Sequence, residues 1–264
     1  MTLTPTETPP PVPVVDSIKE IGSRYRAWLV DIWGVMHNGG AAFPGAGLAT
    51  SAFRASGASV VLLSNSPRPS PKVQEQLRSL GVPDDAYDTT ITSAISPPAG
   101  KHQGARVFHL GPERDRPVFA GLDVTLSDWT DADLVVCTGL FDDDVETPDD
   151  YAELLANMAA RKLTMICANP DHMVERGNKL IYCAGALAAA YEVQGGTVIY
   201  AGKPYAPVYN LALETIAGIA GGAVSKDQVL AIGDGATPTS PAPAISASMR
   251  CSWRAPCTRR AKAA

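Results

Sequence analysis

Four groups of residues have the side chains needed to hold a divalent cation beside an anionic oxygen: Asp31, the Ser64-Asn65 pair, Lys203 and Asp234. Two carboxylates suit a hard cation such as magnesium, which takes oxygen ligands and keeps several waters. A hydroxyl, an amide and an ammonium suit the oxygens of a phosphoryl group. Gly34 lets the chain turn tightly after Asp31, and Gly233 and Gly235 flank Asp234 where the backbone must come close to an ion. Taken singly, each group has a plainer reading. A strand-end Asp is often a cap or turn residue, Gly-Asp-Gly is often a turn, and Lys203 alone is a surface lysine. Their common placement at strand ends is what joins them.

That placement depends on the elements around them. Residues 16–25 (DSIKEIGSRY) predict a short helix capped by Asp16. Residues 27–31 (AWLVD) and 58–64 (ASVVLLS) are apolar runs of the kind a parallel strand buried on both faces shows. Helices are expected over 44–56 and 69–80, the second ended by Gly81. This alternation predicts an α/β fold with a doubly wound parallel sheet. From about 96 to 198 the rhythm restarts, with strands at 105–110, 134–137 and 163–168 and helices at 148–161 and 184–194. A second α/β unit inserted into the first is the simplest arrangement. Residues 198–203 lead back, 206–219 form a helix, and 228–234 (QVLAIGD) make one more strand ending on an acid. The expected organisation is a flexible leader over 1–15, a core from 16–95 and 199–264, and an inserted unit over 96–198. In open α/β sheets, ligands gather at the carboxyl ends of the strands, where all four groups fall.

Composition narrows the function classes. A formal net charge of -5 argues against broad nucleic-acid binding, which needs basic patches. No run reaches the length of a membrane span. The start (MTLTPTETPPPVPVV) lacks the basic and apolar regions of a signal peptide. Cysteines 137, 167, 183, 251 and 257 are odd in number and contain no CxxC, as expected for reduced thiols in a cytoplasmic protein. No GxGxxG follows the first strand, which sets aside a dinucleotide-binding enzyme.

DIWGVMHNG (31–39), LLSNSPRP (62–69), AGKPY (201–205) and AIGDG (231–235) together resemble the four motifs of the haloacid-dehalogenase (HAD) superfamily. CANPD (167–171) and GALAAAYE (185–192) resemble its class IIA branch, in which a large α/β cap lies between the second and third motifs. The resemblance spans about residues 25–235. It implies a magnesium-dependent phosphatase with a Rossmann-like core, acting on a small phosphorylated metabolite. Asp31 would be the nucleophile and, with the Trp33 carbonyl and Asp234, a metal ligand. Ser64 and Asn65 would hold phosphoryl oxygens, and Lys203 would neutralise charge. The Asn169-Pro170-Asp171 turn would lie near the junction of cap and core. A homodimer through the cap also fits the family.

Two features depart from the pattern. The family places a second Asp two residues after the nucleophile as general acid and base, and this chain has Trp33 there. An indole cannot donate a usable proton, so His37, in the same loop, becomes the candidate substitute. Trp33, together with an aberrant C-terminus, opens an alternative function, a weak or inactive protein that binds a phosphorylated ligand without turnover. The tail departs too. Residues 236–264 contain no Asp or Glu, carry five Lys/Arg after position 249, and lack the Thr-Asp that the family shows after GDG. Joining the third base of each codon to the first two of the next permits His-Thr-Asp from residues 236–239, then a small-residue turn and an apolar strand. A frameshift near 236 is therefore expected, the alternative being a basic tail that contacts a partner.

Overall fold

The computed structural model describes residues 15–92, 102–176, 179–234 and 251–252. The first part of the chain runs α1 (Lys19–Gly22), β1 (Ala27–Asp31), α2 (Pro44–Ala55), β2 (Ser59–Leu63), α3 (Ser70–Ser79) and β3 (Thr89–Ile91). The middle part contains β4 (Ala105–Leu110), β5 (Val124–Leu126), β6 (Leu134–Cys137), α4 (Ala152–Ala160), β7 (Thr164–Cys167), β8 (Met173–Arg176), β9 (Lys179–Tyr182), α5 (Ala184–Val193) and β10 (Thr197–Tyr200). The last part holds α6 (Ala206–Ile219), β11 (Val229–Gly233) and the two-residue β12 (Cys251–Ser252).

Two parallel sheets organise these elements. The first has the order β12-β11-β1-β2-β3 and the second β10-β7-β6-β4-β5, while β8 and β9 form a separate antiparallel hairpin. The apolar runs are buried on both faces, as a sheet covered by helices requires. Trp28, Val30, Val60 and Leu62 pack with Phe53 of α2 and Val73 and Leu77 of α3. Leu29, Val61, Leu63 and Val229 face Val208, Ala212 and Ile216 of α6 on the other side. The second sheet repeats the plan, with Val135 and Met165 against Leu155 and Met158 of α4 and Leu187 and Tyr191 of α5. The fold is therefore α/β, a Rossmann-like core sheet interrupted by a second α/β unit, as the alternation of elements predicts.

Two expectations need correction. Asp16 does not cap α1, whose first flanking residue, Ile18, offers no side-chain oxygen. Glu20 reaches back instead, its Oε1 accepting the Asp16 and Ser17 N–H groups at 3.0 and 2.9 Å. The division at residue 198 also falls inside an element. Thr197–Tyr200 pairs throughout with β7 of the second sheet, so this unit continues to Tyr200. Its alternating β-branched run, TVIY, follows the Gly195-Gly196 turn, and the chain leaves the sheet only at Ala201-Gly202. Of the tail, Cys251 and Ser252 pair in parallel with Ile232 and Gly233 at the sheet edge. Its other residues lie outside the described ones.

Candidate active site

Register assembles the site. Asp31 pairs with Leu63 on one side, and Val30 with Ile232 on the other. Ser64 and Asp234 thus follow β2 and β11 just beyond the level of Asp31, at the carboxyl edge of the core sheet. After Asp31 the chain folds back on itself. Met36 N–H donates to the Ile32 carbonyl at 2.8 Å and Gly34 N–H to the His37 carbonyl at 2.9 Å. Ile32, Val35 and Met36 are buried and anchor the loop in the core, so its polar positions are held at the sheet edge. Gly34 takes a φ of 78°, a conformation that costs other residues energy.

Lys203 reaches Asp31 from the far end of the second unit. Its Nζ lies 2.6 Å from Asp31 Oδ1, and its second contact is the Leu63 carbonyl at 3.4 Å. Asp31 Oδ1 also accepts the Ile32 N–H at 2.7 Å. Both side chains are about one-fifth exposed, so the ion pair is open enough for a ligand yet shielded more than a surface pair.

Asn65 behaves differently from the side chain that the motif implies. Its Oδ1 accepts the Lys203 N–H at 2.6 Å, and its Nδ2 donates to the Lys203 carbonyl and to Asp171 Oδ1, both at 3.1 Å. Both faces of the amide are engaged within the protein. The Asn65 side chain therefore braces the Lys203 backbone, leaving Ser64 and the backbone of this loop to meet an anion. Ser64 Oγ accepts the Ser66 N–H at 3.1 Å, which closes the loop.

Asp234 closes the site against the loop that follows Asp31. A Cβ built on Gly34 would collide with the Asp234 carboxylate, and one on Gly233 would lie 3.9 Å from Asp31 Cβ and 4.0 Å from its Oδ2. Glycine at 34 thus opens the cradle in which two carboxylates and the Trp33–Gly34 backbone converge. Oxygen donors of this kind fit magnesium.

Trp33 and His37 form one packed unit. Their rings meet edge-on with centroids 5.1 Å apart, and a Cβ on Gly39 would press within 2.7 Å of the indole. His37 is buried, and its Nδ1 accepts the Gly39 N–H at 2.9 Å. Burial, helped by the Arg68 charge and opposed by Asp31, holds its pKa below the ordinary value. The ring is then neutral at pH 7, with its hydrogen on Nε2.

Asp171 was not among the expected site residues, although the Asn-Pro-Asp turn that carries it stands out in the sequence. The residue is exposed overall, but its carboxyl is crowded. Burial pushes that carboxyl up, Lys203 and the Asn65 hydrogen bond pull it down, and Asp31 and Asp234 push it up again. It therefore senses both core carboxylates. A second acidic group, Asp142, Asp143 and Asp144, sits elsewhere and has room for a cation. Arg114 and Arg176 pair with Asp143, and Arg176 also lies 3.4 Å from Asp144, so arginines already balance that charge.

Comparisons with known proteins bear on the family and the fold. A family model described as haloacid dehalogenase-like hydrolase matches residues 28–125. A hydrolase of the haloacid dehalogenase-like family from Brucella suis is 47% identical, with a TM-score of 0.81 over 84% of this chain and 82% of that one. The chain belongs to the haloacid dehalogenase-like hydrolases. More distant structures share the fold. A possible sugar phosphatase from Cytophaga hutchinsonii is 19% identical, with a TM-score of 0.70 over 84% of this chain and 82% of that one. The glycerol phosphate phosphatase of Mycobacterium tuberculosis, solved with calcium, is 22% identical, with a TM-score of 0.62 over 81% of this chain and 62% of that one. No curated protein matches the chain significantly.

Proposed function

We propose that this hydrolase is a magnesium-dependent phosphatase of the class IIA type, cleaving a small phosphorylated metabolite through an aspartyl-phosphate on Asp31. The observation that carries the reading is the Lys203 ammonium 2.6 Å from Asp31, on a sheet edge shared with Ser64 and Asp234. A carboxylate and a phosphate monoester repel each other, so a nucleophilic Asp needs neighbouring positive charge before in-line attack. Lys203 supplies one such charge. Asp31, the Trp33 carbonyl and Asp234 would hold the magnesium ion, which when bound supplies the rest. Asp31 attacks phosphorus, the ester P–O bond breaks, and the leaving oxygen departs with the bonding pair. Water then cleaves the aspartyl-phosphate, returning Asp31 and releasing phosphate.

Trp33 decides what leaves. A general acid contributes roughly 10²–10⁴-fold, and the neutral, braced His37 is a weak source of that proton. Aryl and acyl phosphates, whose leaving groups need no protonation, are the expected substrates. Rates across alkyl and aryl phosphates should rise steeply as leaving-group pKa falls, and a flat dependence contradicts this reading. Para-nitrophenyl phosphate, assayed with and without magnesium beside Asp31→Asn, tests the activity itself.

Trp33 also favours a second reading, a phosphate-ligand binding protein without turnover. It predicts that wild type and Asp31→Asn are equally silent while both retain phosphate binding. A cytoplasmic site of action and a homodimer through the inserted unit belong to the phosphatase proposal. A frameshift near residue 236 is proposed separately, and sequencing the DNA of several isolates tests it: an uninterrupted frame with these codons ends it.

A further inference from the structure

We propose that Asp171, in the inserted unit, is a positioning residue for Lys203 and acts through Asn65; the catalytic part of this proposal rests on the phosphatase reading. Asp171 Oδ1 accepts one Asn65 amide hydrogen at 3.1 Å. The amide so oriented grips the Lys203 peptide from both sides, taking its N–H at 2.6 Å and giving to its carbonyl at 3.1 Å. Held this way, Lys203 extends its ammonium to Asp31. Asp171 itself is fixed at its own end. Its N–H donates to Asn169 Oδ1 at 3.1 Å, and a Cβ on Gly185 of α5 would collide with the Pro170 carbonyl.

The packing leaves little freedom for another arrangement. A Cβ on Gly202 would lie 2.5 Å from Pro170 Cδ and 2.6 Å from Asn65 Oδ1, so only glycine lets the turn and the amide meet there. Asn65 is 5% exposed, which makes an unfilled amide hydrogen costly. The three residues come from the loop after β2, the turn after β7 and the return segment after β10. The inserted unit therefore contributes a side chain that sets the geometry of the core's cation. Movement of that unit away from the core would release Asn65 and, with it, Lys203.

The test compares Asp171→Ala with Asp171→Asn. The Asn side-chain oxygen can still accept the Asn65 hydrogen, whereas Ala cannot. With para-nitrophenyl phosphate, Asp171→Ala should lower kcat by about 10²-fold, the scale of a small misplacement of a catalytic group. KM should move by less than kcat. Asp171→Asn should recover most of the lost kcat, and Asn65→Ala added to Asp171→Ala should cost little more, because both break one unit. Hydrogen exchange over residues 201–205 should quicken in Asp171→Ala and return toward wild type in Asp171→Asn. An unchanged kcat in Asp171→Ala overturns the proposal. So does an Asp171→Asn variant as impaired as the Ala one, which would assign the role to charge. If wild type shows no Asp31-dependent turnover, the phosphatase reading fails, and the exchange measurement still decides the clamp.

Discussion

The carboxyl edges of the two parallel sheets invite comparison, because the same architecture carries different chemistry. In the core sheet, β1 ends on Asp31, β2 leads into Ser64 and β11 into Asp234. In the second sheet, β6 and β7 end on Cys137 and Cys167, both fully buried. Burial pushes the Cys137 thiol up to about 12 and the Cys167 thiol well above its ordinary value, so neither is a nucleophile near neutral pH. At the Asn169-Pro170-Asp171 turn, however, the second sheet sends a carboxylate toward the core site. A parallel sheet thus provides a place for chemistry, and the residues just past the strands decide whether any occurs.

Substitutions on the two sides should separate accordingly. The largest effect belongs to Asp31→Asn, expected to lower turnover by at least about 10³-fold with little change in thermal stability, since it removes the proposed nucleophile. Steady-state rates beside melting curves check it. Lys203→Ala should cost about 10²–10³-fold in kcat, the scale of losing one electrostatic donor at a reacting centre. In the second unit the order reverses. Leu155→Ala empties a fully buried position against α5 and should destabilise by about 2–5 kcal/mol, read by urea denaturation. Para-nitrophenyl phosphate turnover by its folded fraction should stay near wild type. Tyr191→Phe removes the hydrogen bond from Tyr191 Oη to the Leu163 carbonyl, 2.6 Å long, and should cost about 1 kcal/mol.

A last effect appears only as the pH falls. His109, at the end of β4, is pushed down to about 4 from an ordinary 6.5, first by burial and then by the Arg116 charge. A lowered histidine pKa means that the unfolded chain binds the proton more readily. The stability this ring contributes is present above about pH 6.5 and is lost as pH falls toward 4. His109→Asn should therefore flatten the decline of melting temperature between those values. An equally steep decline in the variant would place the acid sensitivity elsewhere.

Much of this was legible in the residues themselves. Helix α6 has the expected bounds, 206–219, and β6 the expected 134–137, because Pro207 and a Gly pair frame the first and the second is a short unbroken apolar run. The short strands β3 and β5 lack such runs, and their pairing comes from neighbours distant in sequence, whereas β8 and β9 are a local hairpin too short and polar to stand out. The end of the second unit was misplaced for a related reason: TVIY suits either sheet, and its partnership with β7 settles the matter. Asp31, Ser64, Lys203 and Asp234 could be named from type and spacing. What could not be read was the use of Asn65. Its partner Lys203 lies 138 residues away, and the demand of a buried amide for three hydrogen bonds becomes visible only when the two loops meet.

The proposed phosphatase requires Asp31 to carry the phosphoryl group. Mixing the enzyme with magnesium and excess para-nitrophenyl phosphate, quenching in acid within one turnover and mapping peptides by mass spectrometry tests it most directly. One added phosphoryl group is expected on the peptide containing Asp31, and none in Asp31→Asn. Rapid release of nitrophenol with no such adduct, or an adduct on another residue, would contradict it.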